Sequence, residues 1–465
     1  MCKKLYVLVP FLFACSQALP QDRAEDNLAA IAELDRARAL LEESEAELGR
    51  YSQELIEPIE QLVNRLMALN QFEDADTMLD RAVQITRINN GLHTPAQLNL
   101  IRKRIDNFAN RGDWDEAREQ MEYLFNYYLR VPILLNESLL NDFLSLADQH
   151  IRGATADTEI EQGRHLSRVY QLNWAMISTA RKLYGDKSPE LVPYLYRQVQ
   201  LLYTFKKGRD DGGRARTNAN FYYTLDGRTF GWPRITTKNR FYQQGLQLLA
   251  EIRDIYDEHD ESDSERLAMS ALYIGDWFML FDHADLAVES YESVYSSLLG
   301  SGLSQSRINA FFSVPRTLPL PRFYASVDAA LEELDFIGES ELAASEDEVS
   351  ISHALSLHEW SEDYPTLSSP TGVLGPSSDE TDVARFSFEL LSENEPTFLY
   401  SNRFRQSVGI PVEVEMISGF RGMLAGDEIA LDRFDQLRFR PKLVDGEVVR
   451  SRNTLVYSIR GDAES

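Results

Sequence analysis

Small and apolar residues recur at i, i+4 and i+7 in two stretches spaced 42 residues apart. Asn70-Gln71-Phe72-Glu73-Asp74-Ala75 leads to Leu79 and Ala82, and Gly112-Asp113-Trp114-Asp115-Glu116-Ala117 leads to Met121 and Leu124. In each copy a polar corner with one aromatic is followed by one apolar face of a helix. Upstream, Glu25 to about Tyr51 is rich in Ala, Leu, Glu and Arg with few breakers, which predicts a long amphipathic capping helix. Ser52–Asn70 with Phe72–Ile88, and Gln97–Arg111 with Trp114–Arg130, predict two helical hairpins parted by Gly91-Leu92-His93-Thr94-Pro95. In this packing the corner aromatic sits under the next helix, while Ala75 and Ala82 let two backbones approach. Residues 137–151 with 161–183, and 188–205 with 238–258, read as two degenerate copies, the Gly-to-Pro break recurring at Gly185-Asp186-Lys187-Ser188-Pro189. Leu272–Val294 carries the pattern again through Gly275, Phe278, Ala287, Tyr291 and Val294.

A period of this length means stacked helical hairpins, which bind other proteins more often than they catalyse. Over residues 50–300 the segments resemble tetratricopeptide (TPR) repeats in a 42-residue variant with a longer inter-repeat loop. The resemblance implies a right-handed helical-hairpin solenoid over residues 24–300, packed through Phe72, Ala75, Leu79, Ala82, Trp114, Ala117, Met121, Gly275, Ala287 and Tyr291.

The pattern breaks once. Residues 206–240, opening with Lys206-Lys207-Gly208-Arg209, form the most basic segment of the chain and interleave it with aromatics. Asp226-Gly227 between aromatic and Thr-rich flanks predicts a hairpin turn. A loop this long inside a compact array is functional or disordered, and its aromatics argue against disorder. Arg209, Phe221, Tyr222, Tyr223, Arg228, Phe230 and Trp232 are the candidate partner-binding residues. The other reading is a flap whose aromatics cover the helical surface.

After Gly300 the rhythm changes. Val314-Pro315, Leu318-Pro319-Leu320-Pro321 and the Ser/Glu-rich run from Gly338 to Glu348 predict a linker over 301–379, holding a short helix near Ser326–Asp335 and a strand from Val349. Residues 380–460 predict a small α+β domain. Its strands are Val383–Leu391 (Phe386, Phe388 and Leu390 on one face), Thr397–Phe404, Pro411–Ile417 and Leu455–Ile459, and its helix is Asp427–Leu437. Leu437 to Val449, with its Pro441 and Asp445-Gly446 turn, resembles the end of the C-terminal domain of TonB-type energy transducers. Upstream the glycines expected of the first strand are missing. The resemblance implies an edge strand able to accept an extended peptide, or an edge covered by its own linker.

Met1-Cys2-Lys3-Lys4, the ten apolar residues Leu5–Ala14 and Ser16-Gln17-Ala18 read as an export signal over residues 1–18, too short to span a bilayer. Leu12-Phe13-Ala14-Cys15 also resembles a lipobox, with Cys15 as the lipidated residue. The chain's 2 cysteines, Cys2 and Cys15, both lie in this leader, so the processed chain is expected to lack disulfides and thiolate sites. A formal charge of −27 over 465 residues repels phosphate backbones and anionic headgroups, which excludes nucleic acid as a partner. The 7 histidines (His93, His150, His165, His259, His283, His353 and His358) are scattered with no metal-ligand spacing, and neither a nucleophile elbow nor a phosphate-binding loop is present.

The chain is thus expected to be mainly α, a TPR-like solenoid followed by a small α+β domain, without catalytic residues, cofactor or metal. Its expected place is the periplasm or, if lipidated, the outer membrane, with no transmembrane helix in the processed form. Two functions stay open: an adapter binding protein or peptide partners through the solenoid and the 206–240 segment, and an accessory of a TonB-dependent or other envelope transport system acting through residues 380–460.

Overall fold

A computed structural model describes residues 19–130, 135–210, 237–259, 264–338, 348–350, 381–393, 407–418 and 437–460. The described chain is mostly helical, with short strands toward its C-terminal end. It divides into two compact units at Val131/Pro132.

Unit 1 consists of α1 (Leu19–Leu48), α2 (Ile56–Ala68), α3 (Phe72–Asn90), α4 (Leu98–Arg111) and α5 (Trp114–Arg130), each packed on the next. Its core begins with Leu34 and Leu41 of α1 against Ile59, Val63, Ala75, Leu79 and Ala82. It continues through Ile101, Ile105, Phe108, Ala117, Met121 and Leu124, all buried. Ala75, Ala82 and Ala117 are buried as small residues at helix contacts should be, and Phe72 and Trp114 open their helices half-buried.

One hydrogen-bond pattern closes the turn inside each clear hairpin. A residue just past the first helix is left-handed, Asn70 at φ 56° two residues after α2 and Gly112 at φ 79° directly after α4. The next amide reaches back five residues, Gln71 to Leu66 at 2.8 Å and Asp113 to Phe108 at 2.9 Å. This double closure satisfies carbonyls that a helix end otherwise leaves bare. Between hairpins a second pattern recurs. Gly49 (φ 80°) and Gly91 (φ 101°) accept the left-handed turn, and three residues on, Ser52 and Thr94 start a 3-10 turn.

Unit 2 opens with three pairs: α6 (Glu137–Ala156) on α7 (Glu159–Tyr184), α8 (Val192–Asp210) on α9 (Thr237–His259), and α10 (Ser264–Leu280) on α11 (Ala284–Gly300). Both patterns return here. Gly185 (φ 99°) precedes the 3-10 turn begun at Ser188, and Asp282 (φ 64°) closes the α10–α11 corner, where His283 N–H reaches Phe278 at 2.9 Å.

The segment 301–338, rich in Pro and Ser, holds α12 (Gln305–Phe312), β1 (Arg316–Thr317) and α13 (Val327–Gly338). It buries Phe311, Phe312, Leu318, Leu320 and Tyr324, as a packed element does and a solvated linker does not. The remaining strands are β2 (Glu348–Ser350), β3 (Thr381–Leu390), β4 (Val412–Ser418), β5 (Phe439–Arg440), β6 (Leu443–Val444), β7 (Glu447–Val448) and β8 (Ser451–Arg460). They form a sheet ordered β2-β8-β3-β4 and two ribbons, β1-β5 and β6-β7. On β3 the alternation holds, with Phe386, Phe388 and Leu390 all buried. Arg438 to Pro441, directly after the helix expected to end at Leu437, contains β5, where Phe439 N–H donates to Gly409 C=O and Leu318 N–H to Arg438 C=O, both at 2.8 Å. The strand expected at 397–404 and most of the helix expected at 427–437 lie outside the described residues.

Candidate functional site

The repeated turns put the first helices of the hairpins in one register. Counting from Ser52, Thr94 and Ser188, residues +7, +11 and +14 are Ile59, Val63 and Leu66, then Ile101, Ile105 and Phe108, then Leu195, Val199 and Leu202, all buried. The +8 and +12 positions lie on a different face: Glu60 and Asn64 on α2, Arg102 and Asp106 on α4, Tyr196 and Gln200 on α8. Counting back six from the left-handed corner gives Asn64, Asp106 and, on α10, Asp276.

In unit 2 that face holds other parts of the same chain. Tyr196 donates its hydroxyl to Leu320 C=O at 3.0 Å, and Gln200 donates Nε2 to the carbonyls of Leu320 and Pro321, each at 2.9 Å. From α10, Tyr273 donates to Arg322 C=O at 2.9 Å and accepts the Tyr324 N–H at 2.7 Å. Phe323 stacks on Tyr273 with ring centroids 4.4 Å apart. A non-helical stretch, 318–324, is therefore gripped through its backbone by side chains of two first helices. Burial pushes the phenols of Tyr196 and Tyr273 well above 10, which keeps them protonated donors.

Asp276 receives a different guest. Arg440 donates Nε to Oδ1 at 3.0 Å and Nη2 to Oδ2 at 2.6 Å, a bidentate pair whose side chains are 2% and 5% exposed. Tyr291 adds its hydroxyl to Oδ1 at 3.0 Å, and the guanidinium lies 5.4 Å from the Phe311 ring centre. Asp276 and its hydrogen bond hold Arg440 charged despite its burial. Six residues on, Asp282 Oδ1 takes both Nε and Nη2 of Arg438, at 3.0 and 2.9 Å. The β6-β7 hairpin turns on Asp445 and Gly446, at φ 53° and 91°, the backbone that a two-residue loop requires. Asn309 and Gln305 donate to Asp445 Oδ1 at 2.9 and 2.7 Å. Arg440, Asp445 and Arg438 are thus bound to α10, α12 and the α10–α11 corner.

Lys206, first residue of the basic interruption, is buried. It donates Nζ to Leu280 C=O at 2.8 Å and lies 3.7 Å from Asp282, so it ties α8 to the end of α10. Arg209 belongs to α8, and its side chain is outside the described set; Phe221, Tyr222, Tyr223, Arg228, Phe230 and Trp232 lie outside the described residues, as does Cys15. Of the repeat residues, Gly275 is needed for space, because a Cβ there would meet Ser290 Oγ and Tyr291 Cε1 at 2.9 Å; Ala287 and Tyr291 are buried opposite.

In unit 1 the matching face is polar. Asn99 donates to Glu60 at 2.9 Å and Lys103 to Asn64 at 3.2 Å, linking α4 to α2. Sequence reasoning missed Tyr196, Gln200, Tyr273, Asp276 and Arg440. For Tyr196 and Gln200 the signal available was the +8/+12 register, legible once Gly49 is aligned with Gly91, and for Asp276 its place six residues before the corner; Arg440 carried none. It also took the histidines as scattered, whereas His150 and His165 meet across the α6–α7 hairpin. Among the described residues no group of three His, Cys, Asp or Glu side chains is placed to hold a metal, and no helix is long and apolar enough to cross a membrane. No protein-family model matches the chain, and none of the curated proteins matches it.

Proposed function

We propose that the chain is an exported, non-catalytic scaffold built on TPR-like hairpins of a right-handed solenoid, holding an extended segment of a protein partner on its first-helix faces. The observation that carries this reading is the cis complex in unit 2, where Tyr196, Gln200 and Tyr273 hold residues 318–324 by their main-chain groups. Binding through a backbone is tolerant of sequence, and the same chemistry serves a segment from another chain. Since unit 2 spends this face on itself, the face of α2 and α4 around Glu60, Asn64, Asn99 and Lys103 is the proposed partner site. The basic-aromatic stretch between α8 and α9, residues 211–236, is a proposed second contact, the ends of the expected 206–240 interruption belonging to those two helices. Export to the periplasm, or anchoring to the outer membrane through Cys15, belongs to the same reading.

A second reading is an accessory of an envelope transport system acting through residues 380–460. It draws on β4, which pairs with β3 alone among the described strands and so presents an edge. A pull-down from envelope extract separates the two. Asn64→Arg with Asn99→Arg should lose the partners that wild type retains, while Glu415→Pro on β4 should keep them. If only Glu415→Pro loses partners, and these are outer-membrane receptors, the scaffold reading fails. A deletion of residues 211–236 tests the second contact.

A further inference from the structure

Two imidazoles sit in the interior of unit 2 with no role in the docking face. His150 on α6 and His165 on α7 are 2% and 1% exposed, their Nδ1 atoms 3.0 Å apart and their ring centres 5.2 Å apart. His165 Nε2 lies 3.0 Å from Oδ2 of Asp157, which caps the C-terminal end of α6. The fit is close: a Cβ on Gly153 would come within 2.3–2.6 Å of the His165 ring.

Hydrogen-bond arithmetic sets the protons. An ionised Asp157 takes Nε2–H of His165, and a neutral His165 then offers a bare Nδ1 to Nδ1–H of His150. That leaves His150 Nε2 as a bare nitrogen, and among the described residues nothing reaches it. One more proton has no good place to go. On His150 Nε2 it makes a buried N–H without an acceptor. On His165 it forces the His150 proton from Nδ1 to Nε2, with the same result. The charged groups around the pair divide between the two rings, and the one that favours a proton favours it on His165, where it still strands an N–H on His150. Arg164 and Arg168 of α7 oppose a cation at His150, Asp157 favours one at His165, and Arg197 of α8 is engaged by Asp148.

We infer that the α6–α7 hairpin is an acid-sensitive element, opening when the His150–His165–Asp157 chain takes up one proton. The direction follows from linkage. Burial, His165 and the two arginines hold His150 well below 6.5 in the fold, whereas the opened hairpin protonates it near 6.5. The open form therefore binds more protons below that value, so closure is fully favoured above about pH 6.5 and weakens as the pH falls toward the folded value. One proton changes the opening equilibrium by up to about tenfold per pH unit. In unit 1, which spans residues 19–130 of the described chain, the sole histidine is His93, and it is exposed, so that unit lacks the device.

Hydrogen exchange of the full chain between pH 7.5 and 5, corrected for intrinsic rates, tests this. Residues 137–184 should lose protection by up to about tenfold per unit below about pH 6.5, while residues 56–130 keep theirs. His150→Asn places an amide N–H where Nδ1–H stands and removes the titrating ring. It should keep residues 137–184 protected at pH 7.5 and abolish the acid dependence, whereas His93→Asn should leave both unchanged. An acid dependence that survives His150→Asn overturns the inference, as does a wild-type hairpin whose protection ignores pH. Should His150→Asn fail to fold, ring 15N shifts of wild type decide: a His150 that stays neutral through pH 6 supports the device, and one that titrates near 6.5 removes it.

Discussion

Arg440→Met isolates the bond that joins the C-terminal segment to the helices. Wild-type Arg440 gives Asp276 two charge-assisted hydrogen bonds, and Tyr291 gives a third. The substitution removes the first two and leaves a carboxylate that is 5% exposed with one phenol donor. Hydrogen bonds to charged groups contribute about 1.5–3 kcal/mol each, which puts the loss near 3–6 kcal/mol. Breaking one side of a buried ion pair typically costs about 3–5 kcal/mol, in agreement. The unfolding constant of unit 2 should then rise by roughly 10²–10⁴. Asp276→Leu added to Arg440→Met removes the stranded charge and should recover most of the loss. Urea unfolding gives the measurement, with exchange protection of residues 264–300 as the local probe and a double-mutant cycle to extract the coupling. A single-variant loss below about 1 kcal/mol, the scale of an exposed pair, would refute the reasoning. So would a double variant as unstable as the single one, because the penalty would then lie outside the stranded carboxylate.

Two glycines separate steric from conformational cost. Gly245→Ala places a Cβ 2.0 Å from the buried Trp277 ring, so thermal unfolding should show a loss of at least about 1–3 kcal/mol and a changed tryptophan emission. Gly112→Ala meets nothing within 4 Å but must hold φ 79°, so the same measurement should give only about 1–2 kcal/mol, and Gly112→Asn should recover part of it.

The helices could be read because the information that makes them is local. Ala75, Leu79 and Ala82 repeat on one face, and the corners at Asn70 and Gly112 follow within a residue or two of the expected breaks. Strand β3 could be read for the same reason, since ten residues show a period of two. Strand β5 is two residues long, too short to show any period, and Phe439 and Arg440 look like the end of a helix to any local rule. Arg440 acquires its meaning from Asp276, 164 residues earlier, and no spacing rule links them. The Pro-rich run at 315–321 misleads in the opposite direction. Its composition matches a spacer, yet its carbonyls are taken up by Tyr196 and Gln200. His150 and His165 are 15 residues apart across a helical turn, a separation that signals nothing until the hairpin is folded.

The span between Asp276 and Arg440 also sets a clock. The carboxylate is synthesised long before its guanidinium partner, and at about 5–20 residues per second those 164 residues take roughly 8–33 s. Through that interval α10 carries an aspartate whose burial has no compensating charge, so its hairpin with α11 has reason to stay loose. The corners and core described for unit 1 are built from residues that precede Val131, so it can settle first. A nascent chain halted before residue 440 should therefore present a finished N-terminal unit and an unfinished one behind it, the form most open to chaperones and proteases.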